Sequence, residues 1–289
     1  MTIDETSFPA LYRSADALSL ASQVAFFRAL AVHLGLLVFA ALLSITTFHH
    51  WSVAALQLLV LLAALGCSVF LFSKRPDRYW YAARAVAESI KTSTWRFVCR
   101  AEPFDGPDAQ ARSVFQLKLK QIVEQNRDVA QSLTEFLDAR QITVQMLAAR
   151  ALSLDARKSL YAESRIHDQL TWYAKKAAFN RRTSAAFFWG LIAVNAIAVV
   201  LASLRIGFPS VSYWPTDVFV AAAASLLSWM QAKRFSELAA SYALAAHEIG
   251  FVREQALEAS TESAFSAFVG DAENAFSREH TQWVARKDV

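Results

Sequence analysis

The chain has 289 residues, 55% of them hydrophobic and 19% charged, with a formal net charge of +4 and a mean hydropathy of +0.27. That balance is too apolar for an ordinary water-soluble domain and too charged for a protein held wholly in lipid, so spans share the chain with a sizeable aqueous part. With only Cys67 and Cys99, a disulfide framework and a clustered zinc site are both excluded.

Residues 1–9 are acidic and polar and lack the basic start and cleavage site of a signal peptide, so the first span is expected to be retained. Ser14 is a candidate N-cap for an amphipathic stretch from Ala15 through Phe27 that enters the apolar part without a Gly or Pro break. Residues 29–48 and 52–73 contain no Asp, Glu, Lys or Arg, and each has the roughly 20 residues that a helix needs to cross about 30 Å of hydrocarbon. His49, His50 and Trp51 are expected to form the tight tip between them, with the Trp at headgroup level. A second hairpin is expected from residues 185–204 and a shorter, Ala-rich 217–232, joined by a tip with Tyr213 and Trp214 beside Pro209 and Pro215. The expected fold is therefore all-α: an integral membrane protein with four transmembrane helices in two hairpins plus a helical cytoplasmic region.

Orientation follows from the basic residues, because retained cytoplasmic loops carry excess Lys and Arg. Of 29 such residues only Arg205 falls in a hairpin tip. Both termini and the central region are thus expected on the cytoplasmic side of the inner membrane. Residues 74–182 hold twenty basic against twelve acidic residues. Such a face beneath an anionic leaflet reads as a lipid-facing topology signal, and nucleic acid is not expected as a partner.

From Asp77 the pattern predicts a helix emerging from the membrane. Arg84, Glu88 and Lys91 share one face of it, and Trp80, Val86, Ile90 and Phe97 supply apolar surface. The segment 102–107, with Pro103, Gly106 and Pro107, breaks it. A further helix is predicted over 109–140, where Phe115, Leu119, Ile122, Asn126, Val129, Leu133 and Phe136 follow a four-three alternation. One polar member in such a seam can set register and oligomer state, so packing on its own chain and self-association both stand. Ser153 is a candidate cap for a helix carrying Leu154, Tyr161, Leu170 and Tyr173, which continues into the third span as one rod. After the fourth span, 233–267 is again helical in pattern, and Gly270 precedes a short amphipathic tail. Residues 1–107 and 153–289 repeat one order (interfacial helix, span, tip, span, emerging helix) around a connector at 108–152. A duplication with both halves starting inside would be of the parallel kind.

Catalysis has no carrier in the residues. The seven glycines are scattered and build no phosphate-cradling loop. His167 and Asp168 are adjacent on a helix and point about 100° apart, and His49 with His50 has no third metal ligand nearby. Polar groups within the spans are more telling, because lipid cannot satisfy them. His33 and Ser44 share a face, as do Gln57 and Ser68; Asn195 stands alone in the third span, and Ser225 and Ser228 lie on a small-residue strip of the fourth. Two readings stand: interhelical hydrogen bonds that hold the bundle, or His33, Gln57, Asn195 and Ser228 lining an aqueous path in an oligomer. The face of Arg84, Glu88, Lys91 and Arg96 likewise reads as exposed intrahelical ion pairs or as a contact surface for an anion or nucleotide.

Arg84 through Glu88, Lys91, Trp95 and Arg96 to Phe97, followed by Ala101, Glu102, Pro103 and Phe104, resembles the signature after the hairpin in SLATT domains, the two-transmembrane domains associated with SMODS nucleotidyltransferases and SLOG sensors. Ser153 to Tyr161 with Arg165, Asp168, Trp172, Tyr173, Lys175 and Lys176 resembles the start of a second such module, and Tyr12, Ala15, Asp16 and Gln23 fit the lead-in to the first. The resemblance implies a bacterial membrane effector of conflict systems that senses an invader or nucleotide signal and breaches the membrane. With no attached sensor motif, the trigger is expected to be a nucleotide second messenger or a separate sensor protein, and the chain a homo-oligomer in the bilayer. The alternative is a non-conducting scaffold or receptor that docks a partner through the Phe115 to Phe136 face.

Overall fold

The computed structural model describes residues 3–45, 51–256 and 258–285, with side chains to residue 276. Among them every regular element is helical: α1 (Ala10–Ser44), α2 (Trp51–Lys74), α3 (Pro76–Val98), α4 (Asp108–Gln125), α5 (Arg127–Ala130), α6 (Val144–Arg150), α7 (Leu154–Tyr161), α8 (Asp168–Gly207), α9 (Thr216–Lys233), α10 (Phe235–Gln255) and α11 (Glu262–Ala285). A 3-10 turn, Glu5–Ser7, precedes α1, and one π-helical turn, Ala162–His167, joins α7 to α8. The chain divides into two compact units. The first holds Met1–Gln23, Asp77–Ala174 and Ala243–Val289; the second holds Val24–Pro76 and Lys175–Tyr242.

The first unit has an aromatic core. Phe8, Tyr12, Trp95, Tyr161 and Phe265 form a chain of edge-on contacts with centroids 5.1 to 6.2 Å apart. Phe97, Phe104 and Phe115 form a second cluster at 4.8 to 6.1 Å. Edge-to-face pairs at these distances add to the burial of the rings themselves. Phe115, Leu119, Ile122, Val129 and Leu133 are all buried in this core. From Phe115 to Leu133 the four-three face therefore packs on its own chain, whereas Phe136 at its end is exposed.

Four local expectations are corrected. Ser14 does not cap; it lies one turn inside α1, with its hydroxyl donating to the carbonyls of Ala10 and Glu135. The helix over 109–140 stops at Gln125, because the Asn126 side chain donates to the carbonyl of Ile122 at 2.8 Å and its backbone leaves the helical region. The irregular stretch that follows supplies what the start of α1 lacks. The Arg140 carbonyl accepts from the Ala10 N–H at 3.2 Å and the Gln141 side chain accepts from the Leu11 N–H at 3.0 Å, satisfying two of the donors that a helix start leaves open. The helix predicted over 233–267 divides after Gln255, where Thr261 accepts from the Ala264 N–H to cap α11, and Gly270 lies inside α11. Ser153 does cap, accepting from the Ala156 N–H.

In the second unit α1 and α2 form an antiparallel pair. Trp51 opens α2 as an exposed residue, whereas His49 and His50 lie outside the described residues. α9 packs on α1 through Phe27 and Trp229, with ring centroids 5.8 Å apart, and the Lys233 ammonium stands 3.4 Å from the Phe27 ring centre. α2 and α9 end alike. Lys74 and Lys233 are followed by Arg75 and Arg234 in the left-handed region, φ 43° and 51°, each N–H donating to a carbonyl four residues back. Each is a left-handed helix stop built without glycine, and the two recur at the same place in the two halves of the sequence.

Three helical stretches are long and apolar enough to cross a membrane: Ala10–Ser44, Trp51–Val98 and Leu154–Gly207. At most 11% of the apolar window of each is buried within the chain, so these surfaces require lipid or another protein around them. α9 is helical over the expected fourth span but is shortened in its apolar part by Asp217, Gln231 and Lys233.

Candidate functional site

The polar groups of the first hairpin meet across the two helices, Gln57 with Ser44 and His33 with Ser68. Gln57 donates from Nε2 to Ser44 Oγ at 2.7 Å and to the Ala40 carbonyl at 3.2 Å. Nearer the other end, His33 Nδ1 lies 3.0 Å from the Ala64 carbonyl and 3.5 Å from Ser68 Oγ. Since a carbonyl only accepts, Nδ1 carries the proton. Two side-chain clamps thus tie α1 to α2 in one antiparallel register. Ser225 of α9 donates to the Leu34 carbonyl of α1 at 3.5 Å. Asn195 and Ser228 are not brought to these clamps: both are exposed, and among the described residues Asn195 donates only to the Leu191 carbonyl of its own helix, at 2.8 Å.

The charged face of α3 is occupied. Arg84 is bonded to Glu88 at 2.5 Å and to Asp16 at 3.2 Å. Lys91, 9% exposed, donates to Glu5 at 2.7 Å. Burial raises the Glu5 carboxyl, but the Lys91 charge and hydrogen bond outweigh it and hold the group below its ordinary value. Arg96 turns instead to α11, donating to the Gly270 carbonyl at 3.0 Å and to Asn274 Oδ1 at 2.7 Å. The four residues read together from sequence therefore separate into an acid-paired set and a helix-tying arginine.

Three buried arginines carry more of the unit than the sequence pattern shows. Arg150 donates to Asp108 at 2.9 Å, to the Phe97 carbonyl at 2.6 Å and to the Gly106 carbonyl at 3.0 Å. Its hydrogen bond holds the Asp108 carboxyl below the usual carboxylate range. Arg157 donates to the Cys99 carbonyl at 2.9 Å and to Glu262. Arg165 meets Glu273 two-pronged, both bonds 2.8 Å, while Tyr161 donates to the same carboxylate at 3.0 Å. Each guanidinium fork spans segments remote in sequence, a use for which a lysine point charge is unsuited. Arg157 and Arg165 share one helical stretch, eight residues apart, whereas Arg150 ends α6 before the break at Ser153; the acidic partners lie more than forty and more than a hundred residues away and gave no signal. Cys99 is buried among these contacts, which pushes its thiol up and makes it unreactive.

A cleft of about 420 Å³ opens beside this frame, lined by Arg100, Glu102, Asp105, Glu262, Ser263 and Ser266. Arg100 and Glu262 are already committed, to Asp108 and Arg157 respectively. Among the described residues no group of three or more His, Cys, Asp or Glu could hold a metal ion.

Span-length helices left uncovered by the chain, two of them clamped as a hairpin, together with an arginine-framed helical unit, define a membrane protein. The chain belongs to the SLATT family: residues 9–158 match SMODS and SLOG-associating 2TM effector domain 3, and residues 161–283 match SMODS and SLOG-associating 2TM effector domain 1. These are two-transmembrane effector domains associated with conflict systems, and neither match is to a catalytic family. The first match runs through the segment 108–152, and α4 packs in the same unit as α3. No curated protein and no solved structure matches the chain.

Proposed function

We propose that this protein is a membrane effector of a bacterial conflict or anti-phage system that assembles as a homo-oligomer in the inner membrane, termini in the cytoplasm, and opens a pore when triggered from below. What carries the reading is the pair of effector-domain matches laid end to end over helices whose apolar windows the chain leaves uncovered. In this reading α9 serves as the fourth span, making two hairpins; the match of residues 161–283 to a two-transmembrane domain supports it. The hairpin clamps suit a closed resting state, since Gln57 and His33 are satisfied within the α1 and α2 pair and offer little to conducted ions until the helices move.

The trigger acts on α3. An anionic nucleotide reaching Arg84 or Lys91 would displace Asp16 or Glu5, one anion replacing another on the same cation. A separate sensor protein could make the same exchange with an acidic segment. The direct test is ion flux from liposomes holding the purified chain, with and without cyclic nucleotides. Flux that rises on nucleotide addition and is lost in Arg84→Ala supports the reading. Liposomes that stay tight under every nucleotide and phage-derived addition tried overturn it.

A further inference from the structure

On α8, Phe188, Ile192, Asn195, Val199, Ala202 and Ile206 recur at intervals of four, three, four, three and four, and all six are exposed. This is the spacing of a two-helix seam. The next face round the helix behaves differently: Leu191, Val194, Ala198 and Leu201 are at least partly covered, Ala198 leaving only 8% of its surface free. One narrow face of the helix is thus used by the chain itself, and the rest of its circumference, this seam included, is left open.

Asn195 sits in the middle of the open face. Its Nδ2 donates to the Leu191 carbonyl, which uses one of two amide hydrogens and leaves the carboxamide oxygen without a bond among the described residues. In hydrocarbon neither remaining group finds water, and acyl chains offer nothing to either. A carboxamide is donor and acceptor at once, so its own copy on a symmetry-related helix completes both groups, as a two-fold interface requires. We propose that a second copy of this chain covers this face, α8 against α8, with the two Asn195 side chains hydrogen-bonded across the seam.

This rests on the membrane reading of α8 and names one two-fold contact within the proposed oligomer. In a Cys67→Ala, Cys99→Ala background of the full chain in liposomes, single cysteines are placed on the seam (Ile192→Cys, Val199→Cys, Ala202→Cys) and on equally exposed positions beside it (Ala193→Cys, Val200→Cys). Mild oxidation is expected to join the seam positions several-fold faster than the flanking ones. Asn195→Leu is expected to lower dimer formation about three- to thirty-fold, the range of interhelical polar contacts in membranes, and Asn195→Gln to recover much of it. Equal rates at all five positions, dimers indifferent to Asn195→Leu, or cross-links in cells only to another protein overturn the proposal. Seam cross-linking in liposomes that never leak supports this contact while sinking the pore; leak that persists in Asn195→Leu without seam cross-links does the reverse.

Discussion

Removing Glu273 tests how the first unit is held together. The carboxylate has no exposed surface, Arg165 retains 2%, and the two meet through paired 2.8 Å bonds with Tyr161 at 3.0 Å. Glu273→Ala removes both hydrogen bonds to this buried guanidinium and leaves it facing the Phe276 ring, 4.8 Å away. Breaking one side of such a pair costs about 3–5 kcal/mol, chiefly because the surviving charge is stranded. At about 2–4 °C per kcal/mol for a unit of this size, the midpoint of thermal unfolding in detergent is expected to fall by about 6–20 °C. Arg165→Met is expected to do similar damage from the other side. The combined Arg165→Met, Glu273→Leu variant is expected to melt close to the parent, since apolar replacements of similar volume avoid both desolvation costs. If the double variant melts as low as the sum of the singles, or Glu273→Ala melts like the parent, the pair is not the constraint proposed.

Gln57→Leu removes the bonds to Ser44 and Ala40 and is expected to weaken the first hairpin by about 0.6–2 kcal/mol in a detergent unfolding titration; no change would mean that Gln57 serves something other than the clamp. Leu119→Glu puts a carboxylate where 5% of the side chain is exposed and is expected to unfold the first unit by about 3 kcal/mol or more. Partner loss with unchanged melting would instead restore the docking reading of that helix. Because the folded Glu5 carboxyl lies below its ordinary value of 4.5, its pairing with Lys91 stabilises fully above that pH and is lost as pH falls through the folded value. Melting of Glu5→Gln is therefore expected to vary less with pH below 4.5 than that of the parent.

The two ends of the first hairpin show what could be read without coordinates. Eleven-residue spacings put His33 with Ser44 and Gln57 with Ser68 on shared faces, and an antiparallel pairing then forces His33 toward Ser68 and Gln57 toward Ser44, as observed. The α3 face shows the limit. The shared side of Arg84, Glu88 and Lys91 was legible, but their partners Asp16 and Glu5 come from before the first span, and Arg96 belongs with Asn274. The break at Asn126 was hidden for a related reason. The four-three alternation continues past it because Val129, in the short helix α5, and Leu133, in the irregular stretch after it, are both buried.

Apolar run length, charge distribution and the two motif stretches settled the family and the membrane class from the amino-acid order alone, because lipid solvation acts on each segment independently of its neighbours. The guanidinium frame of Arg150, Arg157 and Arg165, the capping of α1 by residues near 140, and the contrast between satisfied Gln57 and outward-facing Asn195 were decided only by tertiary structure. Each depends on which distant group arrives within about 3 Å of a buried donor, a choice made by packing among many possible partners rather than by local periodicity.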